Sequence, residues 1–178
     1  MPGLLKLSRT IDAINLAFGR FAEWLVLAVI MVGAATAGLR YLFNYGSNAL
    51  LEIQWYFFGA IVLLGASATL IHNEHVRVDL IYGMLSRRGR IFVDIVGLTF
   101  FLLPGALVLA WLSWPVFAAA WQTSETSSNF GGLIRWPILL VLPLGFALLA
   151  LQGISELIKR VAALKGEAAE PDYVRPTQ

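Results

Sequence analysis

Four stretches of the chain, residues 24–39, 53–71, 95–121 and 136–155, contain no Asp, Glu, Lys, Arg or His. A bilayer hydrocarbon core is ~30 Å thick, and a helix rising ~1.5 Å per residue needs about 20 mostly apolar residues to cross it. The last three stretches meet that length. The first has 16 residues and is extended by Phe21 and Ala22 before it and by Tyr41, Leu42 and Phe43 after it. Backbone N–H and C=O groups cannot pair with water in lipid, so apolar spans of this length are helices. The pattern predicts an all-α integral membrane protein with four transmembrane helices. One membrane domain covers residues 1–165, and a disordered tail with two prolines follows over 166–178.

Two further segments show helical periodicity. Leu4, Leu7, Ile11, Ile14 and Phe18 recur every three or four residues, with Lys6, Arg9, Asp12 and Asn15 between them. This reads as an N-terminal amphipathic helix lying on the membrane and feeding span one. Between spans two and three, Leu80, Ile81, Met84 and Leu85 form a second stripe, with Arg77, Arg87 and Arg88 near its ends. It predicts a short interfacial helix, or an ordinary loop helix packed on the bundle. Span three holds 27 residues, ~40 Å of helix, and carries Pro104, Gly105 and Pro115. Each proline removes a backbone donor and crowds the preceding turn, which predicts a kink or an early helix end.

Composition narrows the class. The chain has 178 residues, 58% hydrophobic and 13% charged, against about 25% charged in soluble domains. Four spans, short loops and a tail leave no room for a soluble catalytic domain. Cys is absent, which removes disulfides and thiolate metal sites. No small-residue cleavage site is evident that would release the first span, so it is expected to stay.

Charge gives the orientation. Lys6, Arg9 and Arg20 precede span one; Arg77, Arg87, Arg88 and Arg90 lie between spans two and three; Lys159, Arg160, Lys165 and Arg175 follow span four. Only Arg40 and Arg135 lie on the other side. The positive-inside rule places both termini and the 72–90 loop in the cytoplasm. Five tryptophans, Trp55, Trp111, Trp114, Trp121 and Trp136, fall toward the outer boundary and Trp24 toward the inner one. Indoles favour the interface, although some can simply pack between helices.

Candidate chemistry is sparse. His72 and His75 flank Glu74, with Asp79 further on. Two histidines at this spacing can share a helix face, but further ligands must come from elsewhere and arginines follow, so a polar boundary with local ion pairs is the plainer reading. No phosphate loop or nucleophile elbow is present. A transport path needs ionisable groups or broken helices at mid-membrane, and the spans offer few. Small residues in span one (Gly33, Ala34, Ala35, Ala37, Gly38) and span two (Gly59, Ala60, Gly65, Ala66, Ala68) suit close helix packing.

The predicted outer rim is richer. Arg40 and Glu52 face each other across a short turn and are expected to pair. The segment from Thr123 through Glu125, Ser127, Ser128 and Asn129 to Gly132 is dense in hydroxyls and leads to Arg135, Trp136 and Pro137. It is either a solvated loop capping span four, with Pro137 in its first turn, or a docking surface.

At these residues the chain resembles the small, DctQ-like membrane subunits of tripartite ATP-independent periplasmic transporters. The matching runs are Leu39 to Phe43, Glu52 to Trp55, Glu74 to Asp79, Glu125 to Asn129 running into Trp136 and Pro137, Leu142 to Phe146, and Leu151 to Glu156. The likeness spans roughly residues 10–160. It implies a non-catalytic scaffold beside a large multi-span permease that carries substrate and sodium, with a periplasmic substrate-binding protein docking on the outer face. Membrane lipids are the other partners, and nucleic acid is not one. The implied cargo is a small organic acid of the carboxylate or 2-oxo acid class. No cofactor belongs to this chain; sodium belongs to the large subunit. Arg40, Glu52, Glu125, Ser127, Ser128, Asn129 and Arg135 become candidate partner contacts. Glu74, His75, Arg77 and Asp79 become a structural cytoplasmic corner. The rivals are a membrane tethering protein and a redox subunit using His72 and His75.

Overall fold

The computed structural model describes residues 2–72, 82 and 84–166. These form helices α1 (Pro2–Phe43), α2 (Asn48–Ile71), α3 (Arg87–Gly97), α4 (Leu103–Gln122) and α5 (Trp136–Leu164), with a π-helical turn, Leu98–Leu102, joining α3 to α4. Four continuous helical runs are long and apolar enough to cross a membrane: α1, α2, the α3–α4 run and α5.

α1 unites the amphipathic segment and span one in a single helix of 42 residues, ~63 Å long. After Pro2 the next proline is Pro104, so nothing in the segment removes a backbone donor. The helix stops where Asn44 takes φ 50°, a left-handed conformation that asparagine tolerates, and the Tyr45 N–H closes the end on the Leu39 carbonyl at 3.2 Å. Its inward face differs from the apolar stripe. Ser8, Ile11, Asn15, Gly19 and Ala22 are buried, while Leu4, Leu7 and Ile14 are exposed. The buried polar pair, Ser8 and Asn15, is hydrogen-bonded to α5, and Ile11, Gly19 and Ala22 fill the rest of that face.

Span three does not end at its prolines. The helix runs through Pro104 and Pro115 to Gln122. The break in pattern sits just before Pro104, in the π-helical turn, where the Leu103 N–H reaches back to the Leu98 carbonyl. A π turn absorbs the missing donor and the ring clash without ending the helix.

α5 is the hub, packing on α1, α2 and the α3–α4 run, whereas α4 packs chiefly on α5. The core is small: Ala22, Ala60, Leu64 and Leu148, with Phe18, Leu25, Val141 and Leu144 against it. Close approach is carried by glycines other than most of the predicted ones. A Cβ on Gly145 would lie 2.9 Å from the Leu63 carbonyl oxygen, and one on Gly153 would lie 2.7 Å from Leu102 Cδ2. Gly38 meets nothing within 4 Å. Of the interfacial stripe, Leu80 and Ile81 lie outside the described residues, while Met84 and Leu85 lie in a turn before α3; the corner Glu74, His75, Arg77 and Asp79 and the tail beyond Gly166 also lie outside.

Candidate functional site

The α1–α2 and α4–α5 connections meet at one end of the bundle, and Glu52 is the residue that joins them. It lies in the first turns of α2 and is only 5% exposed. One carboxylate oxygen accepts from Ser127 Oγ and from Asn129 Nδ2, the latter at 2.7 Å. The other accepts from the Leu133 N–H at 2.8 Å. Asn48 Nδ2 donates to the Phe130 carbonyl at 3.0 Å, and Tyr56 OH to the Ile134 carbonyl at 3.4 Å. Five donors, two from α2 and three from the 127–133 segment, thus clamp the loop to the helix. A carboxylate accepting several hydrogen bonds makes each of them charge-assisted and short.

The loop itself is built as a small hairpin. Thr126 bridges to Ile134. The Ser127 N–H donates to the Leu133 carbonyl at 2.9 Å, and the Arg135 N–H to the Glu125 carbonyl at 2.8 Å. Gly131 turns the tip at φ 69°, in the left-handed region that glycine enters without strain. Gly132 has no room for a side chain, since a Cβ would lie 2.9 Å from Ser127 Oγ. At the base Arg135 pairs with Glu125, both about half exposed. At the tip the Phe130 side chain projects outward, 98% exposed. Trp121 and Trp136 close the junction behind the hairpin, ring centroids 4.5 Å apart and edge to face. Pro137 sits in the first turn of α5, as the sequence predicts.

Of the predicted rim residues, Glu52, Glu125, Ser127, Asn129 and Arg135 are brought together, and Ser128 is exposed on the same hairpin. Arg40 is not part of it. The expected Arg40–Glu52 pair does not form: Glu52 points into the hairpin, while Arg40 is exposed and makes no hydrogen bond or ion pair among the described residues. Three donors of the loop occupy both carboxylate oxygens and hold Glu52 turned into the hairpin, away from Arg40. Trp24, Trp55, Trp111, Trp114 and Trp121 are all more than half exposed, as rings set at a lipid interface are.

A second polar assembly lies toward the opposite end, between α1 and α5, and the reading of dry helices missed it. Asn15 Nδ2 donates to Gln152 Oε1 at 2.8 Å. Gln152 Nε2 donates to Asp12 Oδ1 at 2.8 Å and Glu156 Oε1 at 3.1 Å. Ser8 and Ser155 share a 2.7 Å hydrogen bond, and Ser155 Oγ reaches Asp12 Oδ1 at 2.7 Å. Lys159 pairs with Asp12 at 3.3 Å and also with Glu156. Arg160 pairs with Glu156 and, at 3.0 Å, with Asp94 of α3. Tyr82 OH donates to the other oxygen of Asp94 at 3.0 Å. Asn15 and Ser8 are seven residues apart on α1, ~10 Å, but their partners Gln152 and Ser155 are three apart on α5, ~5 Å. α1 therefore crosses α5 obliquely. A signal was present: 152, 155, 156, 159 and 160 follow the three-four spacing of one helix face.

The interior offers no comparable polar path. Three span hydroxyls are taken up by carbonyls of their own helices: Thr36 by Val32, Thr69 by Gly65 and Ser113 by Leu109. Among the described residues no three His, Asp or Glu side chains gather as a metal site. His72 ends α2, exposed, and its predicted companion His75 lies outside the described residues.

Neither curated proteins nor solved structures return a match to this chain. Comparison with protein families matches residues 29–163 to the tripartite ATP-independent periplasmic transporters, DctQ component. That segment runs from within α1 to the end of α5 and includes the whole rim hairpin, leaving only the first 28 residues and the last 15 outside. The chain, with its four membrane-crossing helices, belongs to the DctQ family and is a small membrane subunit of a tripartite ATP-independent periplasmic transporter.

Proposed function

We propose that this chain is the static scaffold of its transporter, binding the large permease within the bilayer and docking the substrate-binding protein on the rim hairpin. The observation that carries the docking role is the Glu52 clamp. It holds a hairpin that would otherwise be a mobile loop in one shape, with Phe130, Ser128 and the Glu125–Arg135 pair presented outward. A preformed surface gives up less conformational freedom on binding. An exposed aromatic ringed by polar groups is the usual make-up of an interface centre.

The scaffold role is supported by what the helices lack. The Thr36, Thr69 and Ser113 hydroxyls are satisfied within their own helices, and the charged groups of the α1–α5 seam pair with one another, so substrate and sodium would be carried by the large subunit. The family supports a small organic acid as cargo and sodium as the coupling ion. The loop charges support cytoplasmic termini in the inner membrane, with the rim facing the periplasm.

Two experiments test this reading. Glu125→Arg and Arg135→Glu each place like charges at the hairpin base; uptake of the organic acid should fall while the amount of subunit in the membrane stays constant. Undiminished uptake in both variants removes the docking role. Cysteines replacing Ser128 and Lys165, both exposed, should react with impermeant reagent from opposite sides. Reaction from one side overturns the orientation.

A further inference from the structure

A groove of about 890 Å³ runs along the α1–α2 contact on the side away from α5's polar seam. Its floor is made of small residues where the helices touch: a Cβ on Gly19 would lie 2.6 Å from Ala68 Cβ, and one on Gly65 would lie 3.9 Å from Ala22 Cβ. This contact sets the height of the neighbouring side chains. Gly19 opposite Ala68 places Arg20 at the last turn of α2, where the apolar span ends.

The lining is polarised along its length. Toward the bilayer interior the walls are Val26, Ile61 and Val62. At the border end they are Arg20, Glu23, Thr69 and His72. Arg20 and Glu23 are one helical turn apart on α1 and both exposed, yet neither pairs with the other or with any other group among the described residues. The His72 N–H closes the end of α2 on the Ala68 carbonyl at 3.0 Å, and its imidazole has no partner among the described residues. At this end of the bundle Asp12, Asp94, Glu156, Lys159 and Arg160 are paired, while Lys6, Arg9 and Arg88 are exposed and, like Arg20 and Glu23, make no side-chain pair among the described residues; of these only Arg20 and Glu23 line the groove. Two opposite charges with no partner among the described residues thus sit at the border end of an apolar groove.

We infer that this groove holds one phospholipid with a phosphate and a primary ammonium in its headgroup, of the phosphatidylethanolamine type. The chemistry selects it. The Arg20 guanidinium donates two parallel hydrogen bonds to a phosphate, and His72 adds another donor. The Glu23 carboxylate accepts from an ammonium, which a quaternary choline cannot supply. An acyl chain lies along Val26 and Val62. A ligand with a single charge leaves either Arg20 or Glu23 uncompensated, and a plain apolar helix leaves both.

The test uses the full chain, purified in mild detergent and stripped of lipid. Thermal unfolding is followed with added phosphatidylethanolamine, phosphatidylcholine or phosphatidylglycerol, and lipid retention by native mass spectrometry. Phosphatidylethanolamine should raise Tm most and remain bound as one molecule. Arg20→Gln and Glu23→Gln should each abolish that preference. Ala66→Leu, which fills the groove without touching the charges, should cut retention at least tenfold. Ala66→Leu and Arg20→Lys also serve if Arg20→Gln fails to fold, Arg20→Lys keeping phosphate binding. Equal stabilisation by all three lipids overturns the inference, as does unchanged retention in Ala66→Leu. A benzophenone side chain at Val62 should cross-link lipid in native membranes; cross-linking to a protein segment instead shows that a helix occupies the groove and also overturns it.

Discussion

Arg160 is the cation on which the α3–α5 contact turns, and its removal gives the sharpest stability prediction. Its side chain is 5% exposed and lies between Glu156, 4% exposed, and Asp94, 16% exposed. Arg160→Leu keeps much of the volume but leaves two carboxylates facing an apolar side chain. Removing one partner of a buried ion pair costs about 3–5 kcal/mol. The cost is smaller here, because Lys159 still neutralises Glu156 and Tyr82 still donates to Asp94. About 2–3 kcal/mol is expected, a thirty- to hundredfold change in the unfolding constant at ~1.4 kcal/mol per decade. Reversible unfolding in mixed micelles, followed by tryptophan fluorescence and helical circular dichroism, measures it. Two controls isolate the cause. Arg88→Gln, at an exposed position, should stay within about 0.5 kcal/mol. Adding Asp94→Asn and Glu156→Gln to Arg160→Leu removes the stranded charges and should restore most of the loss. If Arg160→Leu unfolds like the parent, or if the triple variant is no more stable than the single one, the charge argument is wrong and the cluster is held by packing alone.

Three further expectations follow from the contacts. Gly145→Ala forces a Cβ to 2.9 Å from the Leu63 carbonyl and should cost about 1–3 kcal/mol, whereas Gly38→Ala, in open space, should be neutral or stabilising by up to ~1 kcal/mol; detergent melting curves that rank the two the other way refute the packing. A double-mutant cycle on Asn15→Ala and Gln152→Ala should show coupling near 0.6 kcal/mol and no more than about 1.7 kcal/mol, and independent effects would mean the 2.8 Å hydrogen bond adds nothing in the membrane. Glu52→Ala should leave the helices intact but speed hydrogen exchange at the Leu133 and Ser127 amides, since the clamp and the hairpin ladder go together; unchanged protection there would show that the hairpin holds itself.

The spans and the rim show where reading the chain succeeds, and the seam where it does not. Apolar length alone located the four crossings, because lipid admits no unpaired backbone and a run such as 136–155 has one solution. The rim residues were legible because polar groups clustered between two spans stand out. Their pairing was not. Arg40 and Glu52 are near in sequence and opposite in charge, yet Glu52 is claimed by Ser127, Asn129 and Leu133, some 80 residues on. In the first segment the apolar stripe was legible, and Leu4, Leu7 and Ile14 are exposed; what was not legible is the opposite face, where Ser8, Asp12 and Asn15 find partners on α5.

The sequence by itself therefore determined the number of crossings and the class of protein, since these depend on local composition measured against the thickness of a bilayer. Only the tertiary structure decided which glycines bring helices together, which charges are paired and which, like Arg20 and Glu23, are left open. Those outcomes depend on helix rotation and crossing angle, and these are set by contacts between residues far apart in the chain.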